Sequence, residues 1–408
     1  MTTFMQLAVA LIIIISTAKI GGYLSYRIGQ PSVLGELVVG ILLGPSVLNL
    51  LSLPTFSDMH LGETIQHLAE IGVLLLMFLA GLDLHFTDLV KSSKVAGLAG
   101  VSGMLLPLGL GLLAGILFSM EISQAFFTGL ILSATSVSIS AQTLMELRML
   151  RSRVGVSLLG AAVFDDILVL LGLSIFTALV QPTSSLGVGG IALIILKVLL
   201  YLGIASLIGM FIFPKLFSLV NKLPISQGLV AFTFIIILIY GWTAEMFGSM
   251  AAITGAFLAG VWLSRTPLKE HIHAGFSTIA YGIFVPIFFI NIGLSANARE
   301  LSLDSALLLV VMIVVAVVGK VVGSGGGAYL GGLNKHEAFQ LGVGMVSRGE
   351  VGLIVAAIGV ELGLIDRNTF STIVGVVIIT TLITPPMIRL AFKLAQKRNG
   401  KSEPGGTK

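Results

Sequence analysis

The sequence predicts an all-α polytopic membrane protein, with composition as the first observation. Of its 408 residues, 56% are hydrophobic and only 10% are charged, and the mean hydropathy is +1.07. Soluble globular domains carry about 25% charged residues, so an ordinary soluble protein is excluded. The chain has 49 glycines, which favour close helix packing, and no cysteine, which excludes disulfides and thiolate metal sites.

The second observation is a series of about thirteen apolar runs, most of them near or above the ~18 residues that indicate a membrane span. The first run lacks a basic n-region and a cleavage site, so it predicts a transmembrane helix rather than a signal peptide. Short loops between the runs leave no room for a soluble domain, and 394–408 is expected to be a short cytoplasmic tail. The predicted helices are 5–27, 34–51, 63–84, 95–118, 124–147, 153–180, 188–213, 226–246, 249–264, 275–297, 304–331, 337–363 and 368–393.

The third observation is that basic residues alternate between loops. With the N-terminus outside, the inner loops and tail hold 17 Lys and Arg, and the outer loops hold only Arg299 and Arg367. Cytoplasmic loops are enriched in these residues, so the sequence predicts a cell-membrane protein with its C-terminus in the cytoplasm. The basic residues are dispersed over many loops, so membrane lipids are expected partners and nucleic acid is not.

Thirteen helices place six on either side of a central seventh, which gives the two halves opposite orientations. This is the arrangement of two inverted six-helix repeats around a linker helix. Small polar residues interrupt the fifth helix at 129–138 (GLILSATSVS) and the twelfth at 342–351 (GVGMVSRGEV). Matching interruptions in two halves predict two crossing discontinuous helices that line a transport site.

The sixth predicted helix carries two adjacent aspartates, Asp165 and Asp166, near its middle. One Asp at the centre of a membrane helix costs about 2.5–3.5 kcal/mol, and packing requires neither residue. They predict a proton or cation site, with a tolerated polar pair in a helix interface as the alternative. Lys320, deep in the eleventh helix, needs a carboxylate, and one of the aspartates is the obvious partner. Desolvation favours a protonated Asp and a nearby Lys favours the anion, which is the balance that competition between protons and cations requires.

The two interrupted helices supply further candidates. Thr135 and Ser136 offer hydroxyl and freed carbonyl oxygens to a small dehydrated cation, although such hydroxyls often bond to their own backbone. Ser133 and Ser138 are possible helpers. Arg348 and Glu350 are expected to satisfy charges and helix ends where the backbone unwinds, with direct ion ligation as the alternative.

Several other polar features carry less weight. Lys19, Asp83 and Lys197 can reach a helix end or the interface by extending along the helix. No role is assigned to Glu36, Glu70 and His67. The residues at 323–328 (GSGGGA) fit the dinucleotide fingerprint G-x-G-x-x-A, but they lie in a transmembrane run without a preceding strand, so helix packing explains them.

Taken together, the motifs resemble bacterial Na⁺/H⁺ antiporters of the monovalent cation:proton antiporter-2 family, which has the NhaA-like fold. The resemblance covers the whole membrane domain, in family order. The matching segments are QPSVLGELVVGILLGPSVL at 30–48, LAEIGVLLLMFLAGLDL at 68–84, SATSVSISAQTLMEL at 133–147, GAAVFDD at 160–166, VPIFFINIGL at 285–294, VVGKVVGSG at 317–325 and SRGEVGLI at 347–354.

The resemblance implies one antiporter domain at 1–393, with a dimer-forming scaffold (1–92 and 222–300), a mobile core (93–181 and 301–393) and a linker helix (186–221). It implies that Asp166 is the main cation and proton carboxylate, and that Asp165 pairs with Lys320 until sodium binds. An Asp-Asp pair with Lys resembles the electrogenic branch of the superfamily. Phe164 departs from the family pattern, where an aliphatic residue precedes the aspartates.

The expected function is therefore exchange of Na⁺ or Li⁺ for H⁺ by alternating access, serving pH homeostasis. The protein is expected to be a homodimer, to need no cofactor and to be no enzyme. The close alternative is K⁺/H⁺ or mixed Na⁺,K⁺/H⁺ exchange. A passive cation channel and a sodium-coupled organic-anion symporter are further alternatives, and Lys320 beside two carboxylates fits the symporter poorly.

Overall fold

The computed structural model describes residues 1–28, 30–84, 86–180, 188–295, 299, 306–361 and 363–399. Within them every regular element is helical. A 3₁₀ turn covers Leu50–Ser52, and a π turn covers Ala280–Phe284. The helices are α1 Thr3–Arg27, α2 Ser32–Leu43, α3 Leu61–Asp83, α4 Phe86–Leu117, α5 Ile122–Ser133, α6 Val137–Glu146, α7 Arg153–Val180, α8 Val188–Phe211, α9 Phe213–Val220, α10 Gly228–Met246, α11 Ala252–Leu263, α12 Lys269–Ile279, α13 Val285–Leu294, α14 Ala306–Leu330, α15 Lys335–Gly344, α16 Glu350–Glu361 and α17 Arg367–Asn399.

The predicted all-helical membrane architecture is confirmed, and each predicted transmembrane segment contains helical residues. In the described part of the chain, eight helical stretches are long and apolar enough to cross a membrane by length and composition. The number rises to nine if the bent pair α8–α9 counts as one span, while α2 and α11 are apolar but only 12 residues long. The count of thirteen and the inverted repeats therefore stay predictions.

Prolines explain where the helices depart from the predicted bounds. The second predicted helix extends to residue 51, but α2 ends at Leu43, because Pro45 disfavours helical backbone at Gly44. The seventh continues beyond residue 213 as α9 after a bend of 47°, with Pro214 in the first turn of the new helix. The π turn before α13 lies one turn ahead of Pro286, which has no N–H to donate.

The chain forms two compact units. Unit 1 comprises residues 1–21, 36–92 and 166–299, and unit 2 comprises residues 22–35, 93–165 and 300–408. The predicted scaffold, core and linker ranges describe roles in transport, and their assignment stays a prediction.

In unit 1, α3 packs closely on two neighbouring helices through glycines. The backbone of Gly81 lies against the Phe257 carbonyl of α11, and Gly260 of α11 lies against the Phe78 carbonyl of α3. Gly72 lies against the Phe284 carbonyl at the start of α13. A Cβ at any of these glycines would come within 2.3 Å of the facing oxygen, so only glycine permits these backbones to approach so closely.

In unit 2, α14 uses glycines on two faces. Gly319, Gly323 and Gly327, each one turn apart, lie against α4, where the Ser102 hydroxyl donates to the Gly323 carbonyl at 2.7 Å. Gly342 of α15 lies against the Val321 carbonyl of α14. Gly325 of α14 faces the Ala338 carbonyl of α15, so helix packing accounts for both glycines of the G-x-G-x-x-A fingerprint, as predicted, and it holds the helix that carries Lys320 between two neighbours.

We predict opposite effects for two alanine substitutions in α14. A Cβ at Gly323 would lie 2.6 Å from the Ser102 carbonyl oxygen, so Gly323→Ala should lower the free energy of unfolding by about 1–3 kcal/mol. Gly326 is the control, because it is also a glycine of α14 and a Cβ there meets no atom within 4 Å. Gly326→Ala should leave stability unchanged or raise it, because alanine is the better helix former. Equal midpoints for the two variants in thermal unfolding in detergent would contradict the packing described.

Candidate cation site

Both predicted helix interruptions are present in unit 2. The first separates α5, which ends at Ser133, from α6, which begins at Val137, and the backbone of Ser136 is extended (φ −96°, ψ 107°). The second separates α15, which ends at Gly344, from α16, which begins at Glu350. Ser, Thr and Gly at these positions favour non-helical backbone, because hydroxyls compete for backbone hydrogen bonds and glycine is flexible.

The two breaks bond to each other. The Ser136 N–H donates to the Ser347 carbonyl at 2.9 Å, and the Ser347 hydroxyl donates to the Ser136 carbonyl at 2.6 Å. The Ser140 hydroxyl donates to the Gly344 carbonyl, at the end of α15. Gly349 lies against the Ser136 side chain, where a Cβ would be 2.6 Å from it. Each break thus satisfies backbone groups that the other break frees, as a membrane interior requires.

Arg348 supports the second break from within it. Its side chain is 1% exposed, and Nη1 donates to the carbonyls of Val346 at 2.8 Å and Met345 at 3.2 Å, just after α15 ends. Nη2 donates to the Ala316 carbonyl of α14 at 3.1 Å. A cation at a helix C-terminus complements the dipole and the unpaired carbonyls. These bonds are the ones expected if Arg348 stabilises the unwound backbone. The side chain of Glu350 lies outside the described residues.

Lys320 and Asp165 form a buried ion pair between α14 and α7. Lys320 Nζ lies 2.7 Å from Asp165 Oδ1, and both side chains are 0% exposed. Removing one member of such a pair typically costs about 3–5 kcal/mol, because the other charge is left buried alone. Arg348 adds a second positive charge that attracts Asp165. Asp165 Oδ2 has no hydrogen-bond partner among the described residues, so this carboxylate keeps acceptor capacity.

Asp166 follows Asp165 in the same helix and is 6% exposed. Successive residues on a helix are rotated by about 100°, so the two carboxylates leave α7 in different directions. Asp165 is committed to Lys320, whereas Asp166 is buried and makes interactions of its own. The two aspartates are therefore chemically distinct, although they are adjacent in the sequence.

The hydroxyl groups of the first break differ in how they are used. The Ser133 hydroxyl donates to the Leu130 carbonyl at 2.6 Å, and the Ser136 hydroxyl lies 3.1 Å from the Ser138 hydroxyl. Thr135 is 3% exposed, and its hydroxyl has no partner in the described part of the structure. Of these predicted ligands and helpers, Thr135 therefore retains the most capacity to bind a cation. Its ligation of a cation, like that of Ser136, stays a prediction.

The remaining charged residues that the sequence places at membrane depth belong to unit 1. Lys19 Nζ donates to the Tyr281 carbonyl at 2.6 Å, and Asp83 lies 3.7 Å from His273. The Glu70 carboxylate accepts a hydrogen bond from the Gln66 amide and lies 3.5 Å from His67. The side chains of Glu70 and His67 are both exposed. Lys197 is exposed and Glu36 is buried.

Two supporting residues escape the sequence prediction. The Thr381 hydroxyl of α17 donates to the Arg348 carbonyl at 2.6 Å, and Ser347 provides the contact between the breaks. Ser347 is the first residue of the SRGE segment at 347–350, so its hydroxyl was visible in the sequence as a further candidate in that interruption. The apolar helix α17 carries three buried threonines, Thr380, Thr381 and Thr384. Their presence in an apolar run indicates a polar contact, but only the tertiary structure shows which groups they bond.

In the part of the chain that the structure describes, no three His, Asp or Glu side chains cluster as a metal ion would require. The network itself offers carboxylate, hydroxyl and carbonyl oxygens. Oxygen ligands are what hard cations prefer.

Comparisons with known proteins agree with this architecture. The family model for the transmembrane domain of sodium/hydrogen exchangers matches residues 12–394. The chain is 38% identical to the Na⁺/H⁺-K⁺ antiporter GerN of Bacillus cereus, covering 97% of each chain. It is 34% identical to a Na⁺/H⁺ antiporter of Enterococcus hirae, covering 94% of this chain and 97% of the relative.

The fold is also shared with a solved structure. The sodium proton antiporter MjNhaP1 of Methanocaldococcus jannaschii aligns with a TM-score of 0.70 over 97% of this chain and 99% of that one, at 14% sequence identity. At this identity the likeness concerns the fold alone. The family model and the two relatives, by contrast, match nearly the whole chain, and together they show that this protein belongs to the transmembrane sodium/hydrogen exchanger family.

Proposed function

We propose that this protein exchanges Na⁺ or Li⁺ for H⁺ across the cell membrane by alternating access. Asp166 is the carboxylate that holds the cation and the proton in turn. The observation that carries the proposal is the buried Lys320–Asp165 pair at 2.7 Å, with a second buried carboxylate next to it in α7. The names of the relatives, Na⁺/H⁺ antiporters among them, support the choice of ions.

The ion pair explains how a proton and a cation compete. A lone carboxylate at membrane depth would be held in its neutral form by desolvation. Lys320 pairs with Asp165 until a cation binds, and Asp166 is the carboxylate that takes up the proton. When Na⁺ approaches, its positive charge can take over the role of Lys320 at Asp165. A proton bound at Asp166 must leave before the cation can use that carboxylate.

The same reasoning makes the exchange electrogenic. If Na⁺ displaces a proton from Asp166 and a second proton from Lys320, the cation-loaded site carries one more negative charge than the proton-loaded site. A membrane potential then drives the cycle, by about 2.3 kcal/mol per 100 mV for each charge moved.

Mixed Na⁺,K⁺/H⁺ exchange is the second candidate. The name of GerN, a Na⁺/H⁺-K⁺ antiporter at 38% identity, favours it. The hydroxyl and carbonyl oxygens of a helix break can suit either ion. The rest of the proposed organisation is a homodimer in the membrane, with the N-terminus outside, the C-terminus in the cytoplasm, and the core moving against the scaffold.

Neutralising Asp166 tests the carboxylate assignment. Asp166→Asn removes the titrating group and conserves the shape of the side chain, so Na⁺-dependent proton flux should fall at least 100-fold without loss of folded protein. The measurement is the recovery of a lumenal pH dye in proteoliposomes after addition of Na⁺. Glu121→Gln, at an exposed position in the loop before α5, is the control and should leave the flux unchanged. Retained flux in Asp166→Asn would refute the assignment.

Breaking the ion pair tests its energetic role. Lys320→Gln leaves Asp165 buried and unpaired, so the unfolding free energy should fall by about 3–5 kcal/mol and the acceleration by an imposed membrane potential should disappear. The double variant Asp165→Asn/Lys320→Gln removes both charges and should regain most of the stability. Wild-type stability and voltage dependence in Lys320→Gln would contradict the proposed role.

Ion identity is decided in the same vesicles. Dye recovery after addition of Na⁺ or Li⁺, and none after K⁺, is the result that sodium exchange predicts. Equal recovery with K⁺ would replace the sodium proposal by mixed exchange. Cation flux that never moves a proton in the opposite direction would instead indicate a channel.

A further inference from the structure

The corner between α14 and α15 is built from two complete helix caps. At the end of α14, Gly332 N–H donates to the Tyr329 carbonyl and Leu333 N–H donates to the Ala328 carbonyl, each at 3.0 Å. These are the two bonds of a Schellman motif, and Gly332 takes the left-handed backbone that it needs, with φ 109°. Any other residue there would be strained.

The second cap begins α15 two residues later. The Asn334 side chain accepts from the His336 and Glu337 backbone N–H groups, and the Glu337 carboxylate accepts from the Asn334 N–H at 3.1 Å. This reciprocal arrangement is a capping box. The corner is therefore stiff, because both helix ends have their backbone groups satisfied.

Arg153, the first residue of α7, binds both caps at once. Its Nη2 donates to the Gly332 carbonyl at 2.9 Å, and its Nη1 lies 3.7 Å from Glu337 Oε2, the carboxylate of the capping box. The positive guanidinium also lies at the C-terminal end of α14, where the helix dipole favours a cation. The function proposed above makes no use of Arg153.

The spacing links this contact to the cation site. Asp165 lies twelve residues after Arg153 in α7, and Gly332 lies twelve residues after Lys320 at the end of α14. Each stretch measures about 18 Å at ~1.5 Å per residue. The same two segments are thus joined at both ends, by Lys320–Asp165 at 2.7 Å and by Arg153–Gly332 at 2.9 Å.

The geometry points to Arg153 as a positioning residue for the cation site. It fixes the axial register of α7 against the α14–α15 corner, and that register places Asp165 against Lys320. This inference rests on the proposed function only where transport is measured. That Arg153 holds Asp165 in register with Lys320 concerns the ion pair alone and can be tested without transport.

Thermal unfolding in detergent tests the mechanical claim without any transport assay. Arg153→Gln should lower the unfolding midpoint by about 1–2 °C in the wild-type background. In the Asp165→Asn/Lys320→Gln background, where no ion pair depends on the register, the shift should be less than half as large. Residues this far apart normally contribute additively. Equal shifts in the two backgrounds would overturn the inference.

Transport kinetics test the consequence. Arg153→Gln should raise the half-saturating Na⁺ concentration about five-fold, the size of one ordinary hydrogen bond, and leave the maximal rate within about two-fold. Arg153→Lys, which retains a charged donor, should restore most of the affinity. Lys335→Gln removes the same charge from the same corner at an exposed position and should have no effect. An Arg153→Gln protein that behaves like Lys335→Gln would overturn the inference.

Glu337→Gln provides a variant that is expected to fold in any case, because glutamine also completes a capping box. It should reproduce part of the Arg153→Gln shift in the midpoint, and no shift would contradict the contact. If wild-type vesicles show no exchange at all, the proposed function fails, and the comparison of unfolding midpoints still decides the role of Arg153.

Discussion

The buried ion pair between Lys320 and Asp165 is the interaction on which the rest of unit 2 depends. Neither charge is tolerable alone at membrane depth, so α14 and α7 must hold two atoms within about 3 Å. The glycines of α14 serve that requirement. They bring the backbone of this helix against α4 and α15, which leaves Lys320 little freedom to move away from its partner. Arg153 restrains the same two helices at their other ends.

The helix breaks are part of the same polar network. Unwinding a helix in the membrane exposes backbone groups, and here Ser136 and Ser347 satisfy one another while Arg348 binds the carbonyls that follow α15. Arg348 also reaches the Ala316 carbonyl, one turn before Lys320 in α14, and attracts Asp165. The residues that permit unwound backbone thus also balance the charge of the site. The proposed mechanism assigns the change of protonation to Asp166, the buried neighbour of Asp165 in α7.

The sequence predicted what depends on charge cost and hydropathy. Two aspartates and a lysine in apolar helices identified the ion pair, and small polar residues identified both breaks, because the physical penalties at membrane depth leave few alternatives. It did not predict contacts that depend on how helices meet. Thr381, Ser347 and Arg153 bond to backbone carbonyls, and a carbonyl acceptor leaves no mark in the sequence. The bend near Pro214 and the π turn before Pro286 were also missed, because small polar residues marked breaks only in the fifth and twelfth predicted helices.

The central claim is that a cation and protons compete for one site in which Lys320 and Asp166 both give up a proton. The most direct test is the number of protons released per bound Na⁺, measured in weakly buffered detergent solution by titrating Na⁺ into the purified protein. We expect release from both groups in the wild type and from Asp166 alone in Asp165→Asn/Lys320→Gln. Sodium binding that releases no proton, or the same number in both proteins, would contradict it.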